Sequence, residues 1–126
     1  MMTEVRFRGI ETSASLRDHA VRLLHLHLGR FASELGMVRV RIGDVNGPRG
    51  GVDKHCQISL RGPRIGELTV EQLSEDFYLT VTLAVERVSH LLRRELERVR
   101  TGRFRGVPPL GLAGGRAEQY VQGSGR

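Results

Sequence analysis

The stretch Asp76-Phe77-Tyr78-Leu79-Thr80-Val81-Thr82-Leu83-Ala84-Val85-Glu86-Arg87-Val88-Ser89-His90-Leu91-Leu92-Arg93-Arg94-Glu95-Leu96-Glu97-Arg98-Val99-Arg100 lies within the longest run of the chain free of Gly and Pro. At about 100° per residue, Phe77, Tyr78, Val81, Ala84, Val85, Val88, Leu91, Leu92, Leu96 and Val99 fall within roughly 140° of arc. Arg87, His90, Arg94 and Arg98 share a second arc of about 80° on the far side. Arg93 and Arg100 lie beside the apolar edge. Ser74 or Asp76 is suited to cap the start, where Glu75 and Asp76 also meet the positive helix end. Phe77 to Leu83 is rich in aromatic and β-branched residues and on its own reads as strand. The length of the periodic pattern decides for helix.

Such a helix must bury its apolar face. Its cationic stripe has two readings: a solvated face partly neutralised by Glu86, Glu95 and Glu97, or a surface for a polyanion. The whole chain favours neither strongly. Its 126 residues carry a formal charge of +6, and Lys54 is the only lysine. Arginine forks suit phosphate, and a positive excess suits nucleic acid, a membrane surface or simple solubility. Cys56 is the only cysteine, so no intrachain disulfide can form, which fits a reducing compartment. No run approaches the roughly 20 apolar residues that cross a bilayer, and Met1-Met2-Thr3-Glu4 starts no secretory signal. A cytoplasmic protein with no membrane partner is expected.

Upstream of the long helix the pattern is mostly strand. Val5 to Ile10 alternates, with Val5 and Phe7 inward. Thr12 and Ser13 precede a helix predicted over Ala14 to Phe31, whose apolar face holds Leu16, Ala20, Leu23, Leu24, His27, Leu28 and Phe31. Val38, Val40 and Ile42 alternate with Arg39 and Arg41 as a second strand. Asn46 to Gly51 is turn chemistry. In the third strand Val52, Lys54, Cys56, Ile58 and Leu60 face one way and His55, Gln57, Ser59 and Arg61 the other. Ile65 to Glu71 forms the fourth, with Leu68 and Val70 inward. The order β-α-β-β-β-α predicts an α+β fold: two layers, a four-stranded mixed sheet with both helices on one face, and strands one and two parallel. The uncovered face would carry Arg6, Arg8, Arg39, Arg41 and Arg61, a crowding of like charge and a second candidate anion surface. Residues 1–100 make the domain. From Thr101 to Arg126 the seven glycines, two prolines and four arginines describe a flexible tail, in which Arg103-Phe104-Arg105-Gly106 is either solvated or available to RNA.

No catalytic or metal constellation stands out. His25 and His27 are about 200° apart on a helix and cannot share a metal. His55 and Cys56 point to opposite sheet faces. Gly47 to Gly51 lacks the residues of either phosphate-loop motif. No enzyme, cofactor, metal or small-molecule substrate is expected.

Two patterns then bring a family into view: Leu16-Arg17-Asp18-His19 early in the first helix, and Asp76-Phe77-Tyr78 at the head of the last, followed by spaced basic residues. With this element order the chain resembles the ribosome hibernation-promoting factors, also called ribosome-associated inhibitor A or sigma-54 modulation proteins, in their short form. The resemblance covers about residues 4–100. It implies a fold like a double-stranded-RNA-binding domain, without catalysis. It also implies binding to the small ribosomal subunit, its 16S-type rRNA and proteins, in the channel used by mRNA and tRNA, so that translation idles under stress or in stationary phase. By position, Arg87 and Arg94 match basic sites of the family's last helix, and His90 stands where arginine is common. Arg93 and Arg98 extend that surface. Leu23 and Leu26 replace basic residues of the first helix, which leaves Arg22 and Arg30 as the candidates to stand in. The alternative, suggested by the sigma-factor name, is a regulator that binds a transcription protein through Leu79 and Leu83.

Overall fold

A computed structural model describes residues 1–45 and 53–101; the expected loop at Asn46 to Gly51, Val52 of the expected third strand and the tail after Thr101 lie outside them. The elements are β1 (Met2–Arg8), α1 (Ala14–Leu28), a 3-10 segment (Gly29–Glu34), β2 (Met37–Asp44), β3 (Lys54–Gly62), β4 (Gly66–Ser74) and α2 (Phe77–Thr101). The strands lie in the order β1-β2-β3-β4, with β1 parallel to β2 and the other pairs antiparallel. This is the expected α+β architecture.

Period-two alternation sets the sheet. Val38, Val40, Ile42, Cys56, Ile58, Leu60, Leu68 and Val70 are buried on one side. Leu16, Ala20, Leu24 and Leu28 of α1, and Val81, Ala84, Val85, Val88 and Leu92 of α2, complete the same core. Each large aliphatic side chain so buried contributes about 1.5–3 kcal/mol. Cys56 is fully buried, and burial alone pushes its thiol up to about 12, so it packs as a hydrophobe and supplies no thiolate.

The helix starts follow their caps. Ser13 is extended and its Oγ accepts from the Leu16 amide at 3.2 Å. Asp76 Oδ2 accepts from the Leu79 amide at 2.8 Å, and the Asp76 carbonyl accepts from the Thr80 amide at 2.9 Å. Phe77 to Leu83 is therefore helical despite its strand-like composition.

Several boundaries differ from the sequence reading. The α-helix expected to reach Phe31 stops at Leu28, and the chain winds on as a 3-10 segment to Glu34. Gly29 is a poor helix residue, and the tighter winding delivers Leu35 to the core before β2 begins. β1 starts at Met2, because the Met2 amide donates to the Gly36 carbonyl at 3.2 Å. It ends at Arg8 rather than Ile10, since Gly9 turns the chain at φ 75. Ile65, expected in the fourth strand, belongs to the turn before β4, which itself extends to Ser74.

The only lysine forms a polar cluster at the end of β3. Lys54 Nζ donates to Asp53 Oδ1 at 3.0 Å and Asp44 Oδ2 at 3.2 Å, and lies 5.5 Å from the centre of the Phe77 ring. Asp53 is shut off from solvent, and its Oδ2 has no hydrogen-bond partner among the described residues. The Lys54 ammonium holds the Asp53 carboxyl below the usual carboxylate range, and Asp53, with Asp44, raises Lys54 in return.

Two outcomes follow for stability. A Cβ at Gly62 would sit 2.0 Å from the Glu34 carbonyl oxygen, whereas one at Gly29 meets nothing within 4 Å. Urea unfolding of Gly62→Ala will show a loss of about 1–3 kcal/mol or more, and Gly29→Ala none. For Asp53, whose folded value is lowered, the stabilisation is present above the ordinary value of 3.8 and fades as pH falls below it. For Lys54, whose folded value is raised, it is present below 10.5 and is lost as pH climbs past the raised value. Lys54→Met strands the Asp53 carboxylate, so urea unfolding of this variant will show a loss of stability above pH 3.8 that shrinks as pH falls and Asp53 takes up a proton; a loss independent of pH would show that the pair does not couple to folding.

Candidate nucleic-acid interface

The apolar side of α2 faces the sheet and α1, so its other side is open. His90, Arg93, Arg94 and Arg98 are exposed on it. His90 and Arg94 are separated by four residues, as are Arg94 and Arg98, which aligns the three along one side of the helix. Among the described residues no acid forms an ion pair with His90, Arg93 or Arg94. The stripe is diluted nearer its end: Arg98 Nη1 meets Glu95 Oε2 at 2.8 Å, and Arg100 pairs with Glu97. Arg98 keeps half of its side-chain surface in solvent, at 51%.

Arg87 behaves differently. It is half-buried, and its Nη1 donates to the Glu71 carbonyl at 3.0 Å and reaches Gln72 Oε1 at 3.5 Å, so it ties α2 to the edge strand β4. Sequence periodicity placed it in the cationic arc, but could not show that this arc borders β4.

The two helices run parallel. Ser15 Oγ and Tyr78 OH are 2.7 Å apart, and His19 Nε2 and Thr82 Oγ1 are 3.1 Å apart, so the contacts step along both helices together. The His19 and Tyr78 rings meet edge to face, with centroids 5.0 Å apart. Thr82 Oγ1 donates to the Tyr78 carbonyl at 2.9 Å, which leaves it to accept from His19 Nε2–H. Tyr78, assigned to the apolar arc by periodicity, is 41% exposed and sits at its rim as part of this clasp. The two sequence patterns, around Leu16–His19 and Asp76–Tyr78, therefore meet in space.

Of the first-helix candidates, Arg22 is exposed on α1, while Arg30 lies beyond its end in the 3-10 segment with its guanidinium 4.9 Å from the centre of the Phe31 ring. No contact joins either to the α2 cations among the described residues. His55 and Cys56 do face opposite sides of the sheet. Among the described residues no three His, Cys, Asp or Glu side chains gather as a metal site, and no helix is long and apolar enough to cross a membrane.

Comparison with known proteins gives one family and one fold. The family described as sigma 54 modulation protein / S30EA ribosomal protein matches residues 3–100. The chain is similar to the N-terminal domain of Thermus thermophilus Protein Y, with a TM-score of 0.62 and 22% identity, over 75% of this chain and 98% of that one. It is also similar to a ribosomal subunit interface protein from Coxiella burnetii, with a TM-score of 0.65 and 18% identity, over 77% and 99%. No curated protein sequence matches.

The clasp is open to a double-mutant cycle. Tyr78→Phe and Ser15→Ala should each cost about 0.5–1 kcal/mol in urea unfolding, and the double variant little more than either. Additive losses would mean that the two hydroxyls do not share a bond.

Proposed function

The chain belongs to the sigma 54 modulation protein / S30EA ribosomal protein family, and from that membership we propose that it binds the small ribosomal subunit and blocks the channel for mRNA and tRNA. The observation that carries the reading is the open side of α2, where His90, Arg93 and Arg94 stand in solvent with no acidic partner among the described residues. A row of guanidinium groups on a rigid helix positions a protein on phosphates, while the outline of the domain selects the site, as is usual for structured RNA. Inhibition by occupancy requires no chemistry beyond this. Arg98 extends the row, and Arg22 supplies the α1 side. Arg87 contributes mainly by fixing the helix to β4. Arg30, turned onto Phe31, is a peripheral contact. The likeness to the Coxiella burnetii protein, a ribosomal subunit interface protein, supports the same reading.

The role in stress or stationary phase, and the cytoplasmic location, follow from this proposal. A second reading is favoured by one observation: Leu79 is 49% exposed beside Tyr78 at the start of α2. An apolar patch there suits a protein partner such as a sigma factor.

Arg93→Glu with Arg94→Glu reverses two exposed arginines of α2 that have no acidic partner among the described residues, so the fold should lose no more than about 0.5 kcal/mol. Co-sedimentation with small subunits should disappear in this variant, and for the parent chain it should weaken steeply with salt. Retained co-sedimentation would remove the ridge as the binding surface. A pulldown dominated by a single transcription protein, and lost in Leu79→Ser with the arginines intact, would favour the apolar patch.

A further inference from the structure

The side of the sheet that no helix covers is not evenly charged. Register places Glu4 beside Arg39, Arg6 beside Arg41, and Arg8 beside Gly43 across the β1–β2 pair. That half therefore holds four arginines and a single acid. Glu4 serves two of them: Arg6 Nη2 lies 2.6 Å from Oε2, and Arg39 Nε lies 3.1 Å from Oε1. Arg6 foremost, then Arg39, holds the Glu4 carboxyl below the usual carboxylate range. Arg8 and Arg41 are exposed and have no acidic partner among the described residues. The acids of β4 do not supply one. Glu67 lies 3.7 Å from Arg61, and Glu71 accepts from Gln57 Nε2 at 3.2 Å, with His55 Nε2 3.7 Å away.

Placing Arg6 and Arg41 side by side costs stability, and nothing in the fold requires it. Protection of an exposed strand edge would account for charges on β1. It does not account for Arg39 and Arg41, because β2 is an interior strand flanked by β1 and β3. None of the outward positions of the face is Phe, Tyr or Trp, so it offers no platform on which bases could stack. What remains is a flat array of guanidinium forks, whose matching ligand is a row of phosphates.

We propose that the β1–β2 half of the uncovered sheet face is a second RNA-binding site, in which Arg8 and Arg41 engage backbone phosphates of duplex RNA. It lies across the sheet from α2, so the domain presents cationic groups on both of its broad sides and can sit between two RNA segments. The site stands apart from the ribosome reading, since it needs only a phosphate backbone and none of the α2 cations.

The test is salt-dependent binding of a fluorescently labelled A-form RNA duplex to the full chain, to Arg8→Ala with Arg41→Ala, and to Arg61→Ala with Arg64→Ala. The last pair removes equal charge from arginines that already face Glu67 and Glu34. Loss of Arg8 and Arg41 should weaken binding and flatten the plot of log affinity against log salt by up to about two units, close to one per phosphate contact. The control pair should leave the slope in place. An unchanged slope in the first variant, or equal flattening in both, overturns the site. Neither result bears on co-sedimentation of the Arg93→Glu and Arg94→Glu variant, so the two surfaces fail or stand separately.

Discussion

Burial of Val81, Val85, Val88 and Leu92 under the sheet fixes the rotation of α2 about its own axis, and every statement about its cations depends on that rotation. A helix has no freedom to turn once a stripe of this width is packed, because each side chain is locked at its own angle. His90, Arg93 and Arg94 are thus delivered to solvent by the apolar residues, not by any contact of their own. The same rotation brings Arg87 against β4 and Tyr78 against α1. One constraint sorts the polar side chains of α2 into those that face outward and those that hold the fold.

The clasp between the helices adds the second coordinate, their relative height. Ser15, His19, Tyr78 and Thr82 join the first two turns of two parallel helices, close to where both leave their caps. The patterns that carried the family resemblance contribute His19 and Tyr78 to this contact. Their place in the molecule is therefore structural: they hold the platform on which the cations stand.

Much of this was legible in the sequence, and the failures have physical causes. Period-two alternation identified every strand and both of its faces, because a buried sheet face leaves no other register open. Helix rotation was legible from the apolar arc of α2. The ends were not: at Gly29 a change from α to 3-10 winding alters one hydrogen bond at a time and leaves little mark on composition. The Lys54 cluster was invisible for another reason. Lys54 was placed inward correctly, but its partners Asp44 and Asp53 converge through the pairing of β2 with β3, and only tertiary structure shows that two carboxylates await it. The Arg87 bond to the Glu71 carbonyl has no sequence signal at all, since any residue of β4 offers a carbonyl.

What each arginine can do for a ligand depends on what it must give up. An exposed pair such as Arg98 with Glu95, three residues apart on one helix, is worth about 0.2–1 kcal/mol, and a phosphate can replace the carboxylate at small loss. Arg39 and Arg6 stand in the same position toward Glu4, which one phosphate beside either would release to serve the other. Arg87 is bound to a backbone carbonyl in a half-buried setting, where leaving an acceptor unsatisfied costs more than an exposed pair returns. Proximity to the stripe therefore does not make Arg87 the equal of Arg94, even though periodicity assigns both to one arc. The acids at the end of α2 would compete weakly with any phosphate for Arg98 and Arg100. On the proposed reading they temper affinity at low salt, and Arg93 and Arg94, which have no such competitor among the described residues, would set the position of the helix on RNA.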